Sequence, residues 1–410
     1  MEVSTRRMSR NGKKRIFIAS TGGTYMGVKN GNGEVTHDPN KVIQENADLK
    51  RFLEEKVGGI RDLADIDYFV LDNIDSMDMT CDSRAILTRF TFEMLKQYDA
   101  GTWIHGSDGL ISTSAFMTYG IRNLGKPVTM VAANKPVQQQ GVFIPFEDLY
   151  CAVRVATADL GEIVIVNNGN ILRAVMSEKI NDETNPMFAS SRVSPLGSVS
   201  QDVLCLSQHR IKRRDPPYSN STLFTDFDPW VLPHAVGPGS KADIRDLERK
   251  IHEDYTHAVV MLGRGKANTP EHYGPVIKEA TKMGKPVIYL SIISKGNTHL
   301  EKYPGGAAAK KAGAKSAEDI VEDTGFQKTM YGLGKIISKA ISGEDKYEGV
   351  DTRSLQDIPR EEVFHIIRQA EPTKVLTHLD HILHTCYRWD ITNNIRLVQR
   401  GKNRVRDVRY

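Results

Sequence analysis

The sequence predicts an α/β protein of two domains, a larger N-terminal one on a parallel sheet and a smaller α/β C-terminal one, followed by a helical extension. Three observations carry this. Apolar runs of strand length alternate with segments of helical spacing. Pro195, Gly197, Pro216, Pro217, Pro229, Pro233, Gly237, Pro238 and Gly239 punctuate the stretch between two such series. A chain of 410 residues, 40% apolar and 26% charged, has material for more than one core. The expected divisions are a basic arm at 1–14, an N-terminal domain at 15–195, a connection at 196–240, a second domain at 241–345 and an extension at 346–410.

The elements follow in order. Residues 15–20 (RIFIAS) read as a short buried strand running into the turn Thr21-Gly22-Gly23-Thr24. A loop rich in Gly and Asn, Gly27 to Gly33, has the composition of a flap. A strand at 67–71 ends in Asn73-Ile74-Asp75-Ser76, and helical spacing occupies 83–96. The strand 102–105 runs into Gly106-Ser107-Asp108-Gly109, and a helix over 112–124 stops at Gly125. Strands at 127–132 and 162–167 flank a helix at 146–160. The second series has a strand at 258–262 ending in Gly263-Arg264-Gly265, a helix at 275–283, a strand at 286–290 and helices at 305–312 and 317–341. Helices at 360–370 and 374–388 follow.

Charge and composition narrow the function classes. Residues 1–15 carry six Lys and Arg against one acidic residue, and residues 396–410 repeat that balance around a mildly acidic body. Such ends can contact RNA or another polyanion; the favoured expectation is a solvated terminus. No apolar run approaches the ~20 residues that span a bilayer, and the basic N-terminus lacks the apolar stretch of a signal peptide. Cys81, Cys151, Cys205 and Cys386 are far apart, which reads as free thiols in a reducing, cytoplasmic setting.

The chemistry lies at strand ends. Thr21, Thr24, Ser76 and Ser107 offer hydroxyls and Asp108 a carboxylate, each at the carboxyl end of an expected parallel strand, where ligands of open sheets bind. Gly23 and Gly106 let backbone N–H groups come close to a ligand. A hydroxyl nucleophile needs a base, because an unassisted alcohol is almost wholly protonated at neutral pH. Lys179 can serve if burial favours its neutral form, with Asp108 holding it.

The set Thr21-Gly22-Gly23-Thr24, Asn73-Ile74-Asp75-Ser76, His105-Gly106-Ser107-Asp108 and Lys179 resembles the bacterial-type L-asparaginase/glutaminase family, which includes the amidohydrolase subunit of an archaeal tRNA-dependent amidotransferase. The resemblance covers roughly residues 14–342. It reaches the small domain through Val260-Met-Leu-Gly-Arg-Gly265, Gly284-Lys-Pro-Val-Ile288 and Tyr303-Pro-Gly-Gly306. It implies an asparaginase-like two-domain fold, with Thr24 as nucleophile and Ser76 binding the substrate's α-carboxylate. Ser107, Asp108 and Lys179 complete the catalytic set, and Asp108 also holds the α-amino group.

Three elements depart from the family pattern. HGTDT reads His105-Gly106-Ser107-Asp108-Gly109; the Ser keeps the hydroxyl, and the last Thr becomes Gly. The flap offers Gly33-Glu34 where a Tyr is usual, leaving Tyr25 as the only nearby phenol. A Gly-Asn element of the small domain reads Gly265-Lys266.

Two other constellations point less clearly to chemistry. His378, His381 and His384, with Asp380 and Cys386, fall on one expected helix, and a polar face packed on the body outweighs a metal site there. Gly263-Arg264-Gly265 lacks the Lys-Ser/Thr of a phosphate loop. The expectation is therefore an amidohydrolase converting L-asparagine to L-aspartate and ammonia, with no cofactor, acting as a homodimer or homotetramer. The alternatives are a scaffold that binds a ligand or macromolecule without this catalysis, and an ammonia-releasing amidotransferase subunit acting with RNA.

Overall fold

The computed structural model describes residues 12–32, 34–36, 42–137, 143–214, 220–237 and 240–385, in two units divided between Thr225 and Asp226. The basic segments 1–11 and 396–410, with Cys386, lie outside the described residues.

The first unit holds β1 (Arg15–Gly22), β2 (Val28–Lys29), β3 (Val35–Thr36), β4 (Asp65–Ile74), β5 (Ala100–Ile104), β6 (Ile121–Arg122), β7 (Val128–Val131), β8 (Ile163–Asn167), β9 (Asn170–Arg173), β10 (Ser177–Lys179), β11 (Phe188–Ser190), β12 (Gly197–Val199), β13 (Leu204–Leu206) and β14 (Thr222–Leu223). Eight of them form one sheet in the order β13-β12-β9-β8-β7-β5-β1-β4. The run β8-β7-β5-β1-β4 is parallel, and β9, β12 and β13 extend it antiparallel. The chain lays β4 on one side of β1 and then β5 on the other. The direction of winding therefore reverses between β1 and β5, and such a switch point is where open α/β sheets place their ligands.

Both faces of this sheet are covered, so its strands are apolar runs and not alternating ones. Ile16 and Ile18 of β1 face one core with α2 (Asn46–Lys56), α3 (Ile60–Leu63) and α6 (Ile144–Ala156). Phe17 and Ala19 face the other, with α4 (Cys81–Gln97) and α5 (Leu110–Gly120). Phe17 meets Phe90, Tyr98 and Trp103 edge-to-face at 5.7–6.4 Å between centroids. Gly101 on β5 makes room for it, since a Cβ there would lie 2.2 Å from the Phe17 ring. A short helix, α1 (Gly23–Met26), follows β1 directly. The Gly/Asn-rich loop is a small hairpin of β2 and β3, its turn held by Asn30 Oδ1, which accepts from the Asn32 and Glu34 N–H groups at 2.9 and 3.0 Å.

Residues 196–240, expected as a connection, carry regular structure in the described part. β12 and β13 complete the large sheet, β14 pairs with β6, and β15 (Val231–Ala235) opens the second unit's sheet. Strands of two or three residues are too short for a period to show among so many prolines and glycines.

The second unit adds β16 (Ala258–Gly263), β17 (Val287–Ser291) and β18 (Lys315–Ser316), all parallel in the order β15-β16-β17-β18. One face is covered by α7 (Lys241–His252), α8 (Gly274–Lys282) and α9 (Pro304–Lys311). The other is covered by α10 (Glu322–Ser342), α11 (Arg360–Ala370) and α12 (Pro372–His384). The helical extension is thus part of this unit's core: Val363, Phe364, Ile367, Val375, Leu379 and Leu383 are buried there. Gly332 of α10 lets α12 approach, because a Cβ at that position would stand 2.4 Å from Leu379 Cδ1.

Candidate active site

Three strand ends converge at the switch point, and glycines bring them together. Where β1 ends, Gly22 and Gly23 have φ of 89° and 63°, the left-handed region that a side chain disfavours. A Cβ on Gly22 would lie 2.7 Å from Asn73 Cα near the end of β4, and one on Gly23 would lie 2.3 Å from Gly106 Cα beyond β5. The turn is therefore pressed against both neighbouring strand ends. Thr24 follows it, partly exposed at the start of α1, while Thr21 is buried with its hydroxyl directed at the Ile104 carbonyl at 3.5 Å.

Beyond β4, Asp75 caps the turn that carries Ser76 by accepting the Met77 N–H at 2.9 Å. Ser76 is 2% exposed, and its Oγ accepts the Gly109 N–H at 2.9 Å. Gly106 and Gly109 flank it: a Cβ on either would lie 2.5 Å from Ser76 Oγ or from Ser76 O, respectively. The departure from Thr to Gly at position 109 is thus matched by a close approach of the Ser76 loop.

Beyond β5, Ser107 is buried and Asp108 is about half exposed. Lys179 comes from β10, far along the chain, yet its Nζ donates to Ser107 Oγ at 3.2 Å and to Asp108 Oδ1 at 2.5 Å. The ion pair is solvated enough to add little to stability, so its consequence is the placement of the amine over the hydroxyl. Just before this turn, His105 is fully buried. Its Nδ1–H donates to the Gly106 carbonyl at 2.8 Å and its Nε2 has no partner among the described residues. Burial lowers its pKa to about 4.

The sequence-derived set is therefore brought together in part by direct contact, Lys179 with Ser107 and Asp108, and Ser76 with the turn that follows Asp108. Thr24 joins through the packing of Gly23 on Gly106. Tyr25 does not: its ring is buried and its hydroxyl donates to the Pro145 carbonyl at 2.9 Å. Burial, reinforced by the negative charge of Asp148, holds that phenol well above its ordinary range. It belongs to the core beneath the site.

The remaining constellations have structural partners. His384 contacts Asp380 at 3.3 Å and His378 faces Asp345 at 3.7 Å, so the α12 histidines turn to different carboxylates. Among the described residues no group of three His, Cys, Asp or Glu side chains could hold a metal ion. The Gly263-Arg264-Gly265 turn closes on itself through a bridge between Arg264 and Asn268. Lys266 Nζ donates to Asn297 Oδ1. Among the described residues Cys81, Cys151 and Cys205 form no disulfide.

Residues 15–212 match the family model described as Asparaginase, N-terminal. Over these residues the chain is a divergent copy of that family's N-terminal domain. It is 28% identical over 293 residues to the D subunit of the glutamyl-tRNA(Gln) amidotransferase of Pyrococcus horikoshii, a match that covers 69% of this chain and 65% of that one. It is 24% identical over 344 residues to the L-asparaginase of Thermococcus kodakarensis, covering 80% of this chain and 98% of that enzyme. Its fold is shared with the solved thermostable L-asparaginase from Thermococcus kodakarensis, with a TM-score of 0.73, 20% identity and coverage of 92% and 99% of the two chains. L-asparaginase I from Vibrio cholerae gives a TM-score of 0.65 at 20% identity, covering 85% of this chain and 98% of that one.

One buried polar residue close to the Lys179 ribbon escaped the sequence reading. Asn167, at the end of β8, is 1% exposed and binds backbone groups of β11. An Asn closing an apolar strand was the available signal.

Proposed function

We propose that this asparaginase-family protein hydrolyses a side-chain amide, L-asparagine first, with Thr24 as nucleophile. The observation that carries this is the single Lys179 amine in contact with both Ser107 and Asp108, beside the Thr24 turn at the sheet's switch point.

Thr24 Oγ1 bonds to the amide carbon as the carbonyl electron pair moves onto oxygen. The hydroxyl proton passes to the amide nitrogen, and ammonia leaves with the C–N electron pair. The acyl group remains as an ester on Thr24. Water then attacks that ester, its proton passing through Ser107 and Lys179, and Thr24 departs with a proton. Backbone N–H groups of the glycine-rich turns stabilise the oxyanion in both halves. Ser76 holds the substrate α-carboxylate and Asp108 the α-amino group. These steps use only side chains and backbone of this chain, in a homo-oligomer in the cytoplasm. Among the described residues no helix is long and apolar enough to cross a membrane.

The test is ammonia release from L-asparagine and L-glutamine by the purified protein. Turnover that disappears in Thr24→Ala supports the reading, and no turnover of either amide overturns it. A second reading is favoured by the glutamyl-tRNA(Gln) amidotransferase relatives: the site releases ammonia for amide transfer on an RNA-linked substrate. Ammonia release that rises on adding the aminoacylated RNA, and loses that response when residues 396–410 are removed, favours it.

A further inference from the structure

We propose that Asn167, oriented by Asp148, is a positioning residue that sets Lys179 over Ser107 by anchoring the strand paired with Lys179's own. Lys179 does not belong to the eight-stranded sheet. It sits at the end of β10, in a two-stranded ribbon with β11 only three residues long on each side. A ribbon that short is marginal unless something else holds it. Phe188 stands directly opposite Lys179 in the ribbon's register. Asn167 Oδ1 accepts the N–H groups of Met187 at 2.8 Å and Phe188 at 3.2 Å, which ties the ribbon to the end of β8 at the level of Lys179. A second tie reaches the far turn, where Asn134 Nδ2 donates to the Glu183 carbonyl at 2.8 Å.

The Asn167 amide can face only one way. Its Nδ2 donates to Asp148 Oδ2 at 3.0 Å, and the other Asp148 oxygen accepts the Asn168 N–H at 2.7 Å. Both residues are buried, Asp148 at 3% exposed, so water does not replace these contacts. Two backbone N–H groups of β11 face the amide, so its oxygen must point at β11 and its nitrogen at Asp148. Asn185 Oδ1 lies 3.4 Å from the same nitrogen. The chain of contacts therefore runs from α6 through β8 and β11 to β10 and Lys179. A lysine on a flexible stem needs its backbone fixed if its amine is to meet a hydroxyl at hydrogen-bonding distance, and small misplacements at reacting groups cost orders of magnitude in rate.

The test exchanges the two partners. Asn167→Asp keeps acceptors towards β11 but sets two carboxylates face to face. In Asn167→Asp with Asp148→Asn the donor and acceptor are swapped: the amide oxygen introduced on α6 takes the Asn168 N–H, and the amide nitrogen beside it donates to the carboxylate introduced on β8. The kinetic arm rests on the amide-hydrolysis reading: kcat for L-asparagine should fall tenfold or more in Asn167→Asp, with KM within threefold. The double variant should return to within threefold of wild type. Wild-type kcat in a folded Asn167→Asp, or a double variant with native melting temperature and kcat still tenfold low, overturns the proposal. If the single variant does not fold, the double variant decides by the same criterion. The second arm needs no activity: acetylation of Lys179 by acetic anhydride, followed by mass spectrometry, should be at least threefold faster in Asn167→Asp and revert in the double variant. If the wild type releases no ammonia, the hydrolysis reading fails and this arm still decides, with equal acetylation rates overturning the positioning role.

Discussion

Ser76 Oγ accepts the Gly109 N–H at 2.9 Å, and the space a Cβ on Gly109 would need is taken by the Ser76 carbonyl, 2.5 Å away. Because φ at Gly109 is −93°, the demand for glycine here is steric and not a matter of backbone conformation. Gly109→Ala should therefore destabilise the protein by about 1–3 kcal/mol, the scale of overpacking in a filled site. It should also raise KM for asparagine, by shifting the residue assigned to the α-carboxylate. Urea denaturation and steady-state kinetics check both; an alanine variant with native stability and KM would show that the loop yields freely. The same crowding predicts that restoring the family's Thr at this position is worse than Ala.

Thr24→Ala should abolish ammonia release and leave far-ultraviolet circular dichroism and melting temperature close to native. The side chain is partly exposed, and its removal opens no buried cavity. Retained turnover would remove Thr24 from the mechanism.

Lys179→Met should lower kcat by about 100-fold or more, the usual cost of losing an acid–base partner. Asp108→Ala should act differently. It releases one of the two contacts of Lys179 and also removes the group assigned to the α-amino function. KM should rise for substrates with a free α-amino group and change little for α-N-acylated amides. Equal KM shifts on both substrate types would contradict the assignment.

Much of this site was legible because its residues sit in short motifs at strand ends. Thr24, Ser76, Ser107 and Asp108 could be placed by number from the turn glycines and the preceding apolar runs. Lys179 was reachable only through family resemblance, since nothing local to Ser177-Glu178-Lys179 marks a base. Asn167 showed in the sequence only as an Asn closing an apolar strand: its hydrogen bonds go to N–H groups twenty residues onward, and a side-chain bond to a distant backbone leaves no period or spacing. Tyr25 is near Thr24 in sequence and away from the site in space. Adjacency to Thr24 in sequence brought a phenol near, but helical geometry in α1 turns successive side chains to different faces, and Tyr25 faces the core. The strands β12 to β14 were hidden by their brevity. The expected helix 317–341 instead begins at Glu322, behind β18 at Lys315–Ser316, whose two residues are too few to register.

Two buried groups of the first unit, His105 and Asp148, oppose each other in their effect on stability as pH changes. Burial lowers the pKa of His105 to about 4, so between pH 4 and 6.5 the unfolded chain binds a proton that the folded chain refuses. Its contribution is complete above pH 6.5 and is lost as pH falls towards 4. Burial raises Asp148 to about 7, against the pull of hydrogen bonds from the Asn168 and Asn167 N–H groups. Between pH 4 and 7 the folded chain therefore holds a proton that the unfolded chain has released, and stability falls as pH rises. The shifts correspond to on the order of 3–4 kcal/mol across their windows at 1.36 kcal/mol per unit, and the two slopes largely cancel in the wild type. Removing one group should expose the other. His105→Asn keeps a donor towards the Gly106 carbonyl and cannot titrate, so its stability should decline from pH 4.5 to 7. Asp148→Asn loses a hydrogen bond at every pH, but its stability should climb over the same interval. Urea midpoints by circular dichroism at pH 4.5, 5.5, 6.5 and 7.5 measure both. Curves for the two variants that run parallel to the wild type would mean that neither group titrates across this interval as its burial requires.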